Sequence, residues 1–308
     1  MSVIVNYCLL FTLLLLGCDN HVQSISDTAD SGTIYISVDE SFKPVIQEQI
    51  KLFESSYPKA HIIASYKSEV ECLRDFFKDS TNRLIIVGRG LNRKEEHFMI
   101  DSLGYNPSCN KVATDAIAIV LNKSNKDTLF SFQDLQDQLT GKIKNNKIFI
   151  FDGRNATSTV RLIKDSILKG KEYDTAVVKA TNSSNEVLQF VSTHPNAIGF
   201  VGISWIGNPE DNEQVKLLNA VKLGYIQCDL CDGKPFVKPI QQSMLTRRYP
   251  LTRSLFYICK ENFSGLGTGF TSFLKYERGQ LIFKRAYLGS TMDFGTRNIQ
   301  INQSLPKN

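Results

Sequence analysis

Three loops that lead from a strand into a helix carry hydroxyls, glycines and cations where the helix begins. Asp39-Glu40-Ser41-Phe42 precedes a helix opened by Pro44. Gly88-Arg89-Gly90-Leu91-Asn92 precedes Arg93 to Met99, and Asp152-Gly153-Arg154-Asn155-Ala156-Thr157-Ser158-Thr159 precedes Val160 to Leu168. Unpaired N–H groups and the helix dipole favour an anion at such a start, and hydroxyls extend the donor set. Arginine adds a planar fork suited to phosphate or carboxylate. Each loop alone is accounted for by ordinary capping with Ser or Thr. Three together, two with arginine, point to an oxyanion.

Catalytic groups are harder to find. The four histidines, His21, His61, His97 and His194, stand in unrelated contexts. There is no Ser–His–acid order around a nucleophile elbow and no HExxH helix. Ser158 has no histidine near it in sequence, and metal-spaced His/Asp clusters are missing, so neither an enzyme nor a cofactor or metal is expected. Cys228-Asp-Leu-Cys231 is a CxxC. Zinc needs two further ligands at similar spacing, and a thioredoxin-like pair needs a helix start where Asp232-Gly233-Lys234-Pro235 reads as a turn. A structural disulfide ranks ahead of free thiols, and these ahead of redox or metal work; the states of Cys72, Cys109 and Cys259 stay open.

The elements that position the loops follow from periodicity. Thr33 to Val38 alternates and is rich in β-branched residues, as a strand does. Val45, Ile46, Ile50, Leu52 and Phe53 then recur at helical spacing until Pro58. The same alternation places strands at 60–66, 84–87, 113–121, 147–151, 197–203 and 221–226. Helices are expected at 69–77, 132–139, 187–192, 251–259, 270–278 and 280–286, and from Thr157 to about Gly170. Repeated strand–loop–helix units favour an α/β sheet with parallel strands.

The chain has 308 residues, 42% hydrophobic and 22% charged, with a net charge of +5. That length and composition suit one large or two medium soluble domains. The basic residues alternate with acids and form no nucleic-acid stripe. Leu9 to Leu16 is an apolar run too short to span a bilayer and suited to a secretory signal, although residues 2–17 contain no Lys or Arg. Leu15-Leu16-Gly17-Cys18 resembles the bacterial lipobox, which implies lipidation at Cys18; an ordinary cleaved signal would keep export without the anchor. Residues 1–17 are thus expected to be the signal peptide and 18–32 a polar tether.

With these loops in view, the chain resembles the phosphate-binding proteins of ABC importers (PstS-like). Ser41-Phe42 with Pro44 after the opening strand looks like that family's first ligand loop, and Arg154 with Thr157-Ser158-Thr159 resembles its arginine-then-serine-glycine-threonine loop. Ala197-Ile-Gly-Phe-Val-Gly is similar to its return strand; Tyr249-Pro250-Leu251 and Phe273 to Gln280 resemble its C-terminal helices. The resemblance implies a two-lobed type II periplasmic-binding-protein fold, each lobe a mainly parallel sheet flanked by helices, lobe 1 at 33–115 plus 218–308 and lobe 2 at 116–217. It implies capture of phosphate, or a related oxyanion, for an ABC permease by a monomeric lipoprotein of the cell envelope facing the periplasm or exterior. Ligand contacts are expected from Ser41, Phe42, Arg89, Arg154, Asn155, Thr157, Ser158 and Thr159, with Arg89 either on the anion or in a salt bridge at the cleft rim. Arg89 stands where the family carries an aspartate that accepts the ligand's proton, so Asp39, Glu40 or Asp152 must supply that acceptor if phosphate is to be chosen over sulfate. Two readings from other classes are a sensor or assembly lipoprotein that has lost transport, and an envelope phosphatase.

Overall fold

The computed structural model describes residues 27–153 and 157–294; Cys18, Arg154 and Asn155 lie outside the described residues. One ten-stranded sheet runs through the molecule in the order β2-β1-β3-β12-β4-β8-β6-β7, with β13 and β9 beside β4. Its strands are β1 (Gly32–Asp39), β2 (Ala60–Lys67), β3 (Asn82–Val87), β4 (Ser108–Asn122), β6 (Ile148–Asp152), β7 (Val178–Thr181), β8 (Ala197–Gly202), β9 (Val221–Leu223), β12 (Thr252–Cys259) and β13 (Gly289–Ser290). The pairings β1/β2, β1/β3, β6/β7 and β6/β8 are parallel. Between the two parallel groups, β12 and β4 run antiparallel to each other and to their neighbours β3 and β8. A second, three-stranded sheet joins β5 (Leu129–Phe130), β10 (Tyr225–Gln227) and β11 (Phe236–Val237). The result is a mixed α/β fold.

β4 is the spine. Residues from Ser108 to Ala116 pair with β12, and those from Ile117 to Asn122 pair with β8 and β9. Every residue from Ala116 to Leu121 is wholly buried, which explains the near-continuous apolar run of a strand covered on both faces. On the β8 side, Phe151 and Phe200 stack at 4.7 Å between centroids. On the β1 side, Phe53 meets Phe270 edge-on at 5.3 Å. Gly199 lets the helix Ser184–Thr193 pack directly on the sheet: a Cβ there would fall 2.6 Å from a Val187 methyl. Among the described residues no helix is long and apolar enough to cross a membrane.

Two expectations are corrected. Residues 251–259 were expected to be helical, because Leu251, Leu255, Ile258 and Cys259 recur at helical spacing. They form the strand β12 instead, with Arg253, Leu255 and Tyr257 buried in alternation and ladders to β3 and β4 on both sides. The run from 221 to 226 was expected as one strand of lobe 1. It breaks at Gly224, where a Cβ would lie 3.1 Å from Ile119 and Phe130, and its pieces pair with the C-terminal half of β4 and with β5. The helix after Asp152 spans Ser158–Ile163 and continues as a π turn, Lys164–Leu168, ending at the left-handed Lys169 and Gly170.

Candidate functional site

The carboxyl ends of β1 and β6 face each other across the middle of the sheet. At the end of β1, the Asp39 carboxylate accepts the Ser41 N–H at 3.1 Å and holds Glu40–Phe42 in a 3-10 turn. At the end of β6, Asp152 is followed by Thr157, whose hydroxyl caps the helix Ser158–Ile163. Ser41, Thr157, Ser158 and Thr159 are all buried. Their hydroxyls converge on carboxylates. Ser41 and Thr159 each donate to Asp152 Oδ2 at 2.9 Å, and Thr157 donates to its other oxygen at 2.9 Å. Ser158 donates to Asp39.

The cation of this cluster was missed by the sequence reading. Arg253, on β12, reaches from beside β4 to the helix start: its Nη1 donates to Ser158 Oγ at 2.6 Å and to Thr159 Oγ1 at 3.2 Å. Nε donates to Asp115 Oδ2 at 2.8 Å, and the guanidinium lies 4.3 Å over the Phe42 ring. Nη2 is 2.7 Å from the same Asp115 oxygen but not aligned for a hydrogen bond, so among the described protein groups it is a donor without an acceptor. Gly202, at the end of β8, makes room for this side chain, since a Cβ there would sit 2.8 Å from Nη2 and 3.1 Å from the Ser41 carbonyl. An arginine in a strand expected to be a helix gave no cue; the buried alternation of Arg253, Leu255 and Tyr257 was the available signal.

Acids crowd the same place. Burial, with Glu69 and Asp152 nearby, pushes the Asp39 carboxyl up to about 6 against the pull of Arg253. Burial and the Asp152 charge raise Glu40 to about 7. Burial also raises Asp115 and Asp152. One hydroxyl, Ser184 Oγ, lies 2.9 Å from Glu40 and 3.1 Å from Asp152, yet its single proton can serve only one of them at a time. Burial works against the Arg253 charge, but Asp115, Asp39 and Asp152 outweigh it, so the guanidinium stays ionised. Among the described residues no three His, Cys, Asp or Glu side chains are arranged to hold a metal ion.

The arrangement is therefore an arginine fork and a ring of hydroxyls closed over by carboxylates able to accept protons. Outside it, a cavity of about 700 Å³ opens between the two groups of strands, with Glu40, Asp152 and Thr157 at its inner end and Lys67, Ser68 and Arg74 on its rim. A family model described as the PBP superfamily domain matches residues 24–277. The chain belongs to that superfamily.

Relatives of this PBP-superfamily chain include the phosphate-binding protein PstS of Pseudomonas aeruginosa, 28% identical over 198 residues, which are 58% of this chain and 57% of the relative. The chain thus matches little more than half the length of that relative. Among solved structures, a protein from Clostridium perfringens provisionally assigned as a phosphate ABC transporter substrate-binding protein, with phosphate bound, superposes with a TM-score of 0.70 at 19% identity, over 85% of this chain and 100% of that one. An ABC-type phosphate transport receptor from Vibrio cholerae gives 0.60 at 18% identity, over 84% and 100%. At these identities the structural likeness speaks for the fold, which is that of type II periplasmic binding proteins.

Of the expected ligand residues in this PBP-superfamily chain, Ser41, Phe42, Thr157, Ser158 and Thr159 come together in the cluster, and Arg154 and Asn155 lie outside the described residues. Arg89 is not turned to the cluster. Its fork closes on Glu95, Nη1 to Oε2 at 2.7 Å and Nη2 to Oε1 at 2.8 Å, at the start of the helix Arg93–Leu103. The arginine that does meet the second loop is Arg161: it binds Glu69 at 2.6 Å, while Glu69 accepts the Gly88 N–H at 2.9 Å. Gly88 permits this approach, as a Cβ there would be 2.8 Å from Ser158 Cβ. Cys228 and Cys231 are joined in a disulfide.

Proposed function

We propose that this chain is an extracytoplasmic solute-binding lipoprotein that captures phosphate, or a closely related oxyanion, between two lobes and delivers it to an ABC permease without chemical conversion. One lobe is built on β1, β2, β3, β12 and the N-terminal half of β4. The other is built on β5 to β11 and the C-terminal half of β4. Cys18 carries the acyl anchor and the polar segment after it is the tether. The body works as a monomer at the membrane surface, facing the periplasm or exterior.

The observation that carries this reading is the Arg253 fork among the Ser158 and Thr159 hydroxyls, at a helix start and beside Ser41 from the other side of the cleft. Ser158 and Ser41 donate to Asp39 and Asp152. An entering phosphate takes over those hydroxyl protons and the donors of Arg253, including Nη2. Asp39 and Asp152 are then left as acceptors for the ligand's own O–H groups, which sulfate lacks. Arg154 and Asn155, which follow Gly153 in sequence, would add donors from the second lobe, and the Phe42 N–H adds one from the first. Arg89, held by Glu95, is left out of the set. The relatives, a phosphate-binding protein and a phosphate transport receptor, support the choice of ligand.

Calorimetric titration of the full-length chain in detergent tests this. Phosphate is expected to bind one per chain with no response to sulfate. Arg253→Lys, which loses the fork, should weaken phosphate binding by roughly ten- to a hundredfold, since a hydrogen bond to a charged group is worth about 1.5–3 kcal/mol. Unchanged affinity in that variant, or equal binding of sulfate, would sink the assignment.

A further inference from the structure

A second groove lies on the far side of the two central strands. In the β4/β12 ladder Arg253 faces Asp115, while Ser254 faces Thr114 and Thr252 faces Ala116. Residues directly opposite share a face and their neighbours in sequence take the other. The Arg253–Asp115 pair belongs to the cleft, so the Thr114, Thr252 and Ser254 side chains point away from it. They form the floor of a groove of about 910 Å³. Its walls bring Lys111 from β4, Arg247 from the turn after the helix Gln241–Leu245, and Lys169 from the end of the π turn. The first two walls belong to the β1 side of the molecule and the third to the β6 side.

These groups have little to bind within the protein. Among the described residues, none of the three cations makes an ion pair, and none of the three floor hydroxyls makes a hydrogen bond. Like charges are gathered here: partial burial and the nearby Arg247 together hold the Lys111 ammonium below its ordinary range. One carboxylate, Asp229, also lines the groove.

We propose that this groove is a second anion site, for a small ligand bearing two or more linked phosphoryl groups. With Arg253, which also borders the groove, offset by its ion pair with Asp115, the three remaining cations against one carboxylate leave an excess of two positive charges, which a single monoanion does not balance. The volume is near the upper end of small-molecule sites, about 300–1,000 Å³, and far exceeds one orthophosphate. Lysine and arginine spread over three walls suit a chain of phosphoryl groups, each meeting one cation, with the hydroxyls below as further donors.

The test is titration of the full-length chain, saturated with orthophosphate, using tripolyphosphate as probe. One further site per chain is expected. Lys111→Gln should weaken it about tenfold, as loss of one charge-assisted contact does. Arg247→Gly should do the same, glycine being chosen because residue 247 has a left-handed backbone (φ 57°). Both variants should keep their orthophosphate affinity. Absence of binding, one-for-one displacement of orthophosphate, or indifference to both substitutions would overturn the proposal. Should orthophosphate itself fail to bind, the titration without it still decides, because only the groove depends on Lys111 and Arg247.

Discussion

At the scale of the residue, the cleft is governed by protons as much as by charge. Asp39 and Glu40 have folded-state values of about 6 and about 7, above the 3.8 and 4.5 they would show in an open chain. The folded state therefore binds more protons than the unfolded one. Their contribution to stability is whole below about pH 4 and is lost as pH rises through 6 and 7. Thermal unfolding of the unliganded protein should accordingly shift upward on going from pH 8 to pH 5.5. Glu40→Gln should flatten that dependence; an unchanged slope would show that Glu40 titrates normally. Glu40, which lines the cavity and accepts nothing from the ligand, repels an anion once ionised, so phosphate affinity should be greater at pH 6 than at pH 8, measured by titration at both. Much of this site was legible in the sequence, because hydroxyls and acids sit beside the strand ends that carry them. Arg253 was not, since a side chain's neighbours across a sheet depend on strand order, which one strand's own residues do not reveal.

At the scale of the element, small residues set how closely backbones approach the site. Gly202 ends β8 against Arg253 and the Ser41 carbonyl. Gly202→Ala is expected to push the guanidinium away from Ser158 and to cost about 1–3 kcal/mol of stability, as overfilling a packed site does. A denaturant melt should show the loss and phosphate titration a parallel loss of affinity; a neutral result would mean Arg253 moves freely. The disulfide Cys228–Cys231 closes only a short loop, so its reduction should cost at most about 2 kcal/mol, read from melts with and without reductant. Strands with strict alternation, such as β1, could be read directly. The strand β12 could not, because Leu251, Leu255, Ile258 and Cys259 satisfy helical spacing equally well, and only the ladders to β3 and β4 decide between the two.

At the scale of the whole molecule, the two groups of strands are tied by Arg161, Ser158 and Ser41 reaching to Glu69, Asp39 and Asp152. Glu69 is nearly all buried, with 2% of its side chain exposed, so removing its partner leaves a charge with no comparable compensation. Arg161→Ala should therefore favour an opened form, seen in small-angle scattering as a larger radius of gyration without phosphate that shrinks when phosphate is added. An unchanged radius would place the tie elsewhere. The sequence by itself determined the α/β class, the chemistry of the loops and the membership those loops suggested, because periodicity and side-chain type are local properties. The tertiary structure alone decided that Arg253 and not Arg89 meets the hydroxyls, and that the run from 221 to 227 divides between the second half of β4 and the small sheet with β5. It also decided that a basic groove backs onto the cleft. Each of these depends on contacts between segments far apart in the chain, where packing and charge pairing, not local preference, fix the outcome.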